Sequence, residues 1–195
     1  MNPSAPTIKG LIKLHKPDQP IRPVVNWKNA PAYRLSKLFT EKIHRLTPLP
    51  NAFNIKNSQE LIQNLKDTPL LPCHSLASLD ITNMYSNIPI VETKKILTDI
   101  LKRELVNPQA QQEIIKWYDI ITRQNYFTHN NDIITQYDGL AMGASSSGLI
   151  AEMFLQHTEQ RCLPHITRKH KIANLIHPNL HFTAEMETTN PSHIP

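Results

Sequence analysis

The residues best placed to do chemistry lie in Ser78-Leu79-Asp80-Ile81-Thr82-Asn83-Met84-Tyr85-Ser86-Asn87-Ile88-Pro89. Asp80 closes an apolar run, and Tyr85 follows five positions later on a polar, turn-prone segment. Nucleotidyl transfer asks for such a pair: a carboxylate that can hold magnesium, and a flat wall beside the sugar of an incoming nucleotide. Each residue taken alone has a blander reading. An aspartate often just ends a strand or caps the next turn, and a tyrosine is often a core residue with its hydroxyl satisfied.

Two further segments carry groups suited to phosphate. Ile8-Lys9-Gly10-Leu11-Ile12-Lys13-Leu14-His15-Lys16-Pro17 and Ile21-Arg22-Pro23-Val24-Val25 alternate apolar and basic residues. The Arg22 guanidinium is a fork for phosphate oxygens, with Lys13 and Lys16 as point charges on the opposing strand. A solvated basic hairpin is the competing explanation. The second segment is Tyr137-Asp138-Gly139-Leu140-Ala141-Met142-Gly143-Ala144-Ser145-Ser146-Ser147-Gly148. Gly143 there lets backbone approach a base pair closely, and the hydroxyls of Ser145, Ser146 and Ser147 can cap a helix while touching a phosphate backbone. A serine-rich helix cap without any ligand is the alternative.

The elements that must hold these groups follow from periodicity. Residues 7–27 predict a β-hairpin turning at Pro17-Asp18-Gln19-Pro20, with the Pro23 strand at an edge because proline cannot donate to a ladder. Tyr33, Leu35, Leu38, Phe39, Ile43 and Leu46 fall at helical spacing after Pro31. A short helix starts at Ser58, with Ser58 as N-cap and Leu61, Ile62 and Leu65 as its buried side. Residues 75–79 predict a short buried strand that delivers Asp80 to its end. Two amphipathic helices follow over 91–105 and 108–124. A hairpin folds about His129-Asn130-Asn131-Asp132, and a helix spans 144–162. Beyond Leu163 the chain reads as irregular apart from a strand-like 180–187.

Composition bounds the rest. A chain of 195 residues with 39% hydrophobic residues suits one domain with a modest core. A formal net charge of +5 favours a polyanionic partner. Of the 16 prolines only Pro89 and Pro108 fall between Pro72 and Pro164, so long regular elements belong there. Cys73 and Cys162 are too few for a disulfide framework. With no apolar run of about 20 residues and no signal-peptide core, an intracellular protein, nuclear or cytoplasmic and without a membrane partner, is expected. His157, Cys162, His165 and His170 match no common zinc spacing, and scattered surface histidines explain them better.

Leu79-Asp80-x-x-x-x-Tyr85-x-Asn87-Ile88-Pro89 and the Met142-Gly143 segment together resemble the first catalytic motif and the template-grip motif of a reverse transcriptase palm. The similarity is to reverse transcriptases of Penelope-like retroelements, over about residues 6–190. It implies an α+β fold, a partial fingers and palm whose incomplete antiparallel sheet packs on helices. Residues 1–70 would be fingers-like, 71–163 palm-like, and 164–195 an irregular remnant of the later palm. By resemblance Asp80 is the catalytic metal ligand, and Lys13, Lys16, Arg22 and Tyr85 bind nucleotide, Tyr85 lying under the sugar and excluding a 2′-hydroxyl. Met142, Gly143, Ser145, Ser146 and Ser147 would touch template and primer. Magnesium is the implied cofactor, and an RNA template, a DNA primer and deoxynucleoside triphosphates are the implied partners.

The chain departs from the family in telling places. Ile12 stands where relatives have a proline, and Ser145 and Gly148 occupy positions that many relatives give to proline. No aspartate occurs after Asp138, so the Tyr-x-Asp-Asp motif that supplies the second metal carboxylate is missing. A loss near Ala173-Asn174-Leu175 accounts for this, because the residues on either side resemble the lead-in to that hairpin and the segment beyond it. Glu185 and Glu187 share a strand face by alternation, but their family counterparts are not ligands. The expectation is a retroelement-derived reverse transcriptase domain that is inactive as this chain, without thumb or endonuclease, and with the Asp80 strand missing its neighbour. A non-catalytic nucleic-acid-binding remnant and a degenerate fragment are the alternatives.

Overall fold

A computed structural model describes residues 3–14, 18–49, 55, 57–66, 77–166 and 181–186. The fold is mixed α+β. Thr7–Ile12 (β1) and Ile21–Asn26 (β2) form the expected antiparallel hairpin, in register from Thr7 opposite Asn26 to Ile12 opposite Ile21. Tyr126–His129 (β4) and Asp132–Thr135 (β5) form a second hairpin, over the span its sequence predicts. Asn130 and Asn131 turn it with φ of 50° and 69°, the double left-handed geometry of a tight hairpin turn that asparagine tolerates. Thr7 and Thr128 join the hairpins in parallel, giving one sheet in the order β2-β1-β4-β5. β2 therefore stands at an edge, where Pro23 does no harm.

Ala77–Thr82 (β3) pairs antiparallel with His181–Met186 (β6), placing Asp80 opposite Thr183. Two expectations are corrected here. Asp80 sits within its strand rather than at the end of one, and that strand does have a neighbour, because His181–Met186 is extended and pairs with it along its whole length. Glu185 pairs with Ser78, two register positions from the Asp80 pair, and Glu187 lies outside the described residues.

The helical side holds Tyr33–Leu46 (α1), Ser58–Lys66 (α2), the single turn Met84–Asn87 (α3), Ile90–Arg103 (α4), Pro108–Arg123 (α5) and Ser147–Ile166 (α6). Pro108 begins α5, and the Asn107 side chain accepts a hydrogen bond from the Gln109 N–H, satisfying one orphan donor of the first turn. α5 contacts both α1 and α4, and α4 contacts α6. Their shared core is built by Phe39, Ile43, Leu97, Leu101, Ile114, Tyr118, Ile150 and Phe154, all essentially inaccessible to solvent. Each such side chain contributes about 1.5–3 kcal/mol by leaving water. Buried Leu149, Ile150, Ala151, Met153 and Phe154 make the first half of α6 a helix enclosed on most sides rather than an amphipathic one. Tyr118 ties the helices together: its hydroxyl donates to the Ile90 carbonyl at 2.9 Å, and its ring lies 6.3 Å from that of Phe39. Burial pushes the Tyr118 phenol far above its ordinary range.

α2 departs from its sequence reading. Asn57, not Ser58, caps it through its side-chain oxygen to the Glu60 N–H at 2.9 Å. Leu61 and Ile62, expected on a buried side, are 41% and 56% exposed, because among the described residues no element packs closely on that face. At the other end, α6 begins at Ser147, the last of the three serines, rather than at Ala144, and runs on to Ile166.

Candidate functional site

A cleft of about 450 Å³ opens between the β1–β2 hairpin, the β3–α3 junction and the start of α6. Lys13, Arg22, Asp80, Tyr85, Met142, Gly143 and Ser147 all line it, although they come from three distant parts of the chain. Lys13 follows β1, and its N–H bonds the Pro20 carbonyl at 3.0 Å, closing the mouth of the hairpin loop. Arg22 is an exposed residue near the start of β2, opposite Leu11. Neither Lys13 nor Arg22 makes an ion pair among the described residues, so both cations are available to an anion. Lys16 lies outside the described residues.

The sequence places a turn after Asp80, and the structure gives its form. Asn83 takes the left-handed region at φ 50°, which reverses the chain immediately after β3 and starts α3. The Asn87 side-chain amide then donates to the carbonyls of Thr82 and Asn83, at 3.3 and 3.1 Å. Together these contacts set half-buried Tyr85 beside exposed Asp80 at the cleft wall.

The Met142–Gly143 loop forms the third wall and is fastened to the hairpin. The Val25 N–H donates to the Met142 carbonyl at 2.9 Å. Gly143 has φ 110°, and a Cβ there would lie 2.1 Å from the Val25 carbonyl oxygen, so only glycine permits the approach.

The three serines act differently from the sequence expectation. The Ser145 and Ser146 hydroxyls are 2.7 and 2.9 Å from the hydroxyl of fully buried Ser36 on α1, and neither residue lines the cleft. Ser147 reaches the lining, but its hydroxyl donates to the Ala141 carbonyl at 2.8 Å. Ser36 offers Ser145 and Ser146 a buried partner, and with the Ser147 bond these contacts fix the entry into α6. Ser36 itself carries no motif and was not singled out in the sequence; its helical spacing with Phe39 and Ile43 is the one signal that could have found it.

A second concave surface of about 410 Å³ shares Ile21, Pro23, Asn83 and Met142 with the first. Ile8, Val25, Phe127 and Leu140 give it an apolar floor.

Asp80 is the only carboxylate on the lining of the first cleft among the described residues. One carboxylate does not suit a pair of magnesium ions, which need several oxygen ligands each. Among the described residues no three His, Cys, Asp or Glu side chains gather as a metal site, and His170 of the histidine-rich tail lies outside them. No family model matches this chain, and no curated protein matches it. Among the described residues no helix is long and apolar enough to cross a membrane.

Proposed function

We propose that this chain is a reverse-transcriptase-like module that binds a nucleoside triphosphate and nucleic acid in its cleft but does not extend a primer. The observation that carries the reading is the convergence of Lys13, Arg22, Asp80, Tyr85 and Met142–Gly143 on one cleft, from segments separated by more than fifty residues of sequence. Two cations on the hairpin, without an ion pair among the described residues, present phosphate ligands, and Arg22 is the one able to grip two oxygens at once. Tyr85 supplies a planar surface where a sugar would lie. The apolar surface that continues beneath the hairpin is suited to bases rather than phosphates.

Catalysis is set against this by charge. Phosphoryl-type transfer depends on electrostatic stabilisation of the attacking and leaving oxygens. Among the described residues the cleft offers one carboxylate for that task, and the sequence holds no aspartate after Asp138. On this reading the protein's own groups bind and orient a nucleotide, and no step of transfer is routed through them.

Two assays on the purified chain test the proposal together. Binding to a labelled primer–template should weaken steeply with salt, reflecting phosphate contacts, while no primer is extended. Extension lost on Asp80→Ala would show an active polymerase instead. Absence of salt-sensitive binding would leave the degenerate-fragment reading standing.

A further inference from the structure

We infer that Asn125 is a positioning residue that sets Tyr85 against the cleft, acting through Gly139; the inference rests on the nucleotide-binding reading of that cleft. Asn125 lies between α5 and β4 and is 6% exposed. Its carbonyl accepts the Gln136 N–H at 2.8 Å, at the base of the β4–β5 hairpin. That bond fixes the residue so that its side-chain amide donates to the Gly139 carbonyl at 3.0 Å.

Gly139 is in turn pressed onto the turn that carries Tyr85. It holds φ 77°, and a Cβ on it would lie 2.4 Å from the Ser86 carbonyl oxygen. The next residue, Leu140, donates its N–H to the Tyr85 carbonyl at 2.7 Å. On the near side, Asp138 Oδ1 accepts from the Gly139 N–H at 2.9 Å and the Ile90 N–H at 3.4 Å, anchoring the strap to the start of α4. The Tyr85 turn is thus clasped by a strap whose carbonyl is held by one buried amide. Withdrawing the amide donor leaves that carbonyl buried without its partner, which the strap can relieve only by shifting. Asn125 touches no ligand itself, so its effect should fall on what Tyr85 reads, the sugar, and much less on what Arg22 and Lys13 read, the phosphates.

The test uses the full chain and the near-isosteric Asn125→Asp, which replaces the donor with an acceptor. The five tyrosines are labelled with fluorotyrosine and Tyr85 is assigned by Tyr85→Phe. In the ligand-free chain, Asn125→Asp should move the Tyr85 fluorine resonance, whereas Ser36→Ala, which loosens only the entry to α6, should leave it in place. In nucleotide titrations, Asn125→Asp should reduce the preference for a deoxyribonucleoside over a ribonucleoside triphosphate about tenfold, with deoxyribonucleotide affinity itself falling less than about threefold if phosphate contacts persist. A Tyr85 resonance unmoved by Asn125→Asp, or moved equally by Ser36→Ala, overturns the inference. So does an unchanged sugar preference. If the unaltered chain binds neither nucleotide, the nucleotide-binding reading fails, while the fluorine measurement alone still decides whether Asn125 positions Tyr85.

Discussion

The Val25 N–H and the Met142 carbonyl, 117 positions apart in sequence, meet at 2.9 Å and join the basic hairpin to the loop that opens α6. The adjoining Gly143 makes the junction possible, with its α-carbon against the Val25 carbonyl oxygen. Gly143→Ala would place a methyl carbon 2.1 Å from that oxygen at a φ of 110°, so the two walls must separate. We expect a loss of about 2–3 kcal/mol in urea unfolding, from strain in the left-handed backbone and the broken contact. Gly148→Ala is the control. Nothing lies within 4 Å of a Cβ there, and the helix should gain about 0.4–1 kcal/mol.

Ser36 joins α1 to the start of α6 through a fully used hydroxyl. It donates to Ser146 Oγ at 2.9 Å, accepts the Ser146 N–H at 3.0 Å, and lies 2.7 Å from Ser145 Oγ. Ser36→Ala leaves a buried N–H and a buried hydroxyl without that partner, which should lower stability by about 1–3 kcal/mol in thermal or urea unfolding. A loss no larger than that of an exposed serine, such as Ser86→Ala, would mean that the cluster does not hold the entry to α6.

His157 on α6 makes stability depend on pH. Burial, and then the nearby Arg161, hold its imidazole below the ordinary value of 6.5. The unfolded chain therefore takes up the proton first as pH falls, so the contribution is complete above about 6.5 and is lost as pH drops below it. Glu159 works in the opposite sense, since burial raises its carboxyl above 4.5 and its contribution is lost as pH rises through that value. His157→Gln should flatten the change in urea midpoint between pH 7.5 and 6 relative to the unaltered chain. An equal slope in both proteins would remove His157 as its source.

Much of this architecture was readable from local pattern, and the exceptions share a cause. The two hairpins declared themselves through turn residues, Asn130-Asn131 above all, and α1, α4 and α5 through apolar spacing over three or more turns. Those signals are local. A turn after Asp80 was legible too, but not its form, which depends on Asn83 adopting a left-handed backbone and on Asn87 reaching back to two carbonyls, neither of which has a periodicity. The exposure of Leu61 and Ile62 was misread because an apolar stripe states what a helix could bury, not whether anything meets it. For the site, resemblance to known motifs, beside residue type, brought out Lys13, Arg22, Asp80 and Tyr85, and the cleft brings them together. They could not show that Ser145 and Ser146 would turn to Ser36, or that Asn125 would reach Gly139, since those partners are remote in sequence.

Asp80 offers a way to separate a binding cleft from a two-metal site. Without divalent ions, Asp80→Asn removes one negative charge from the lining that a triphosphate beside Lys13 and Arg22 would meet. Asp80→Asn should then raise metal-free affinity for a deoxynucleoside triphosphate about threefold, a modest Coulomb effect in a solvent-exposed cleft. If magnesium strengthens binding to the unaltered chain and Asp80→Asn abolishes that gain, Asp80 holds a metal and the account of the site must change.

Whether the hairpin cations and the Tyr85 wall form one nucleotide-binding cleft is read by calorimetric titration with a deoxynucleoside triphosphate. The unaltered chain should bind with one-to-one stoichiometry, and Arg22→Ala should weaken binding at least about tenfold, the cost of a lost charge-assisted fork. No heat of binding, or an affinity that Arg22→Ala leaves unchanged, would contradict the assignment.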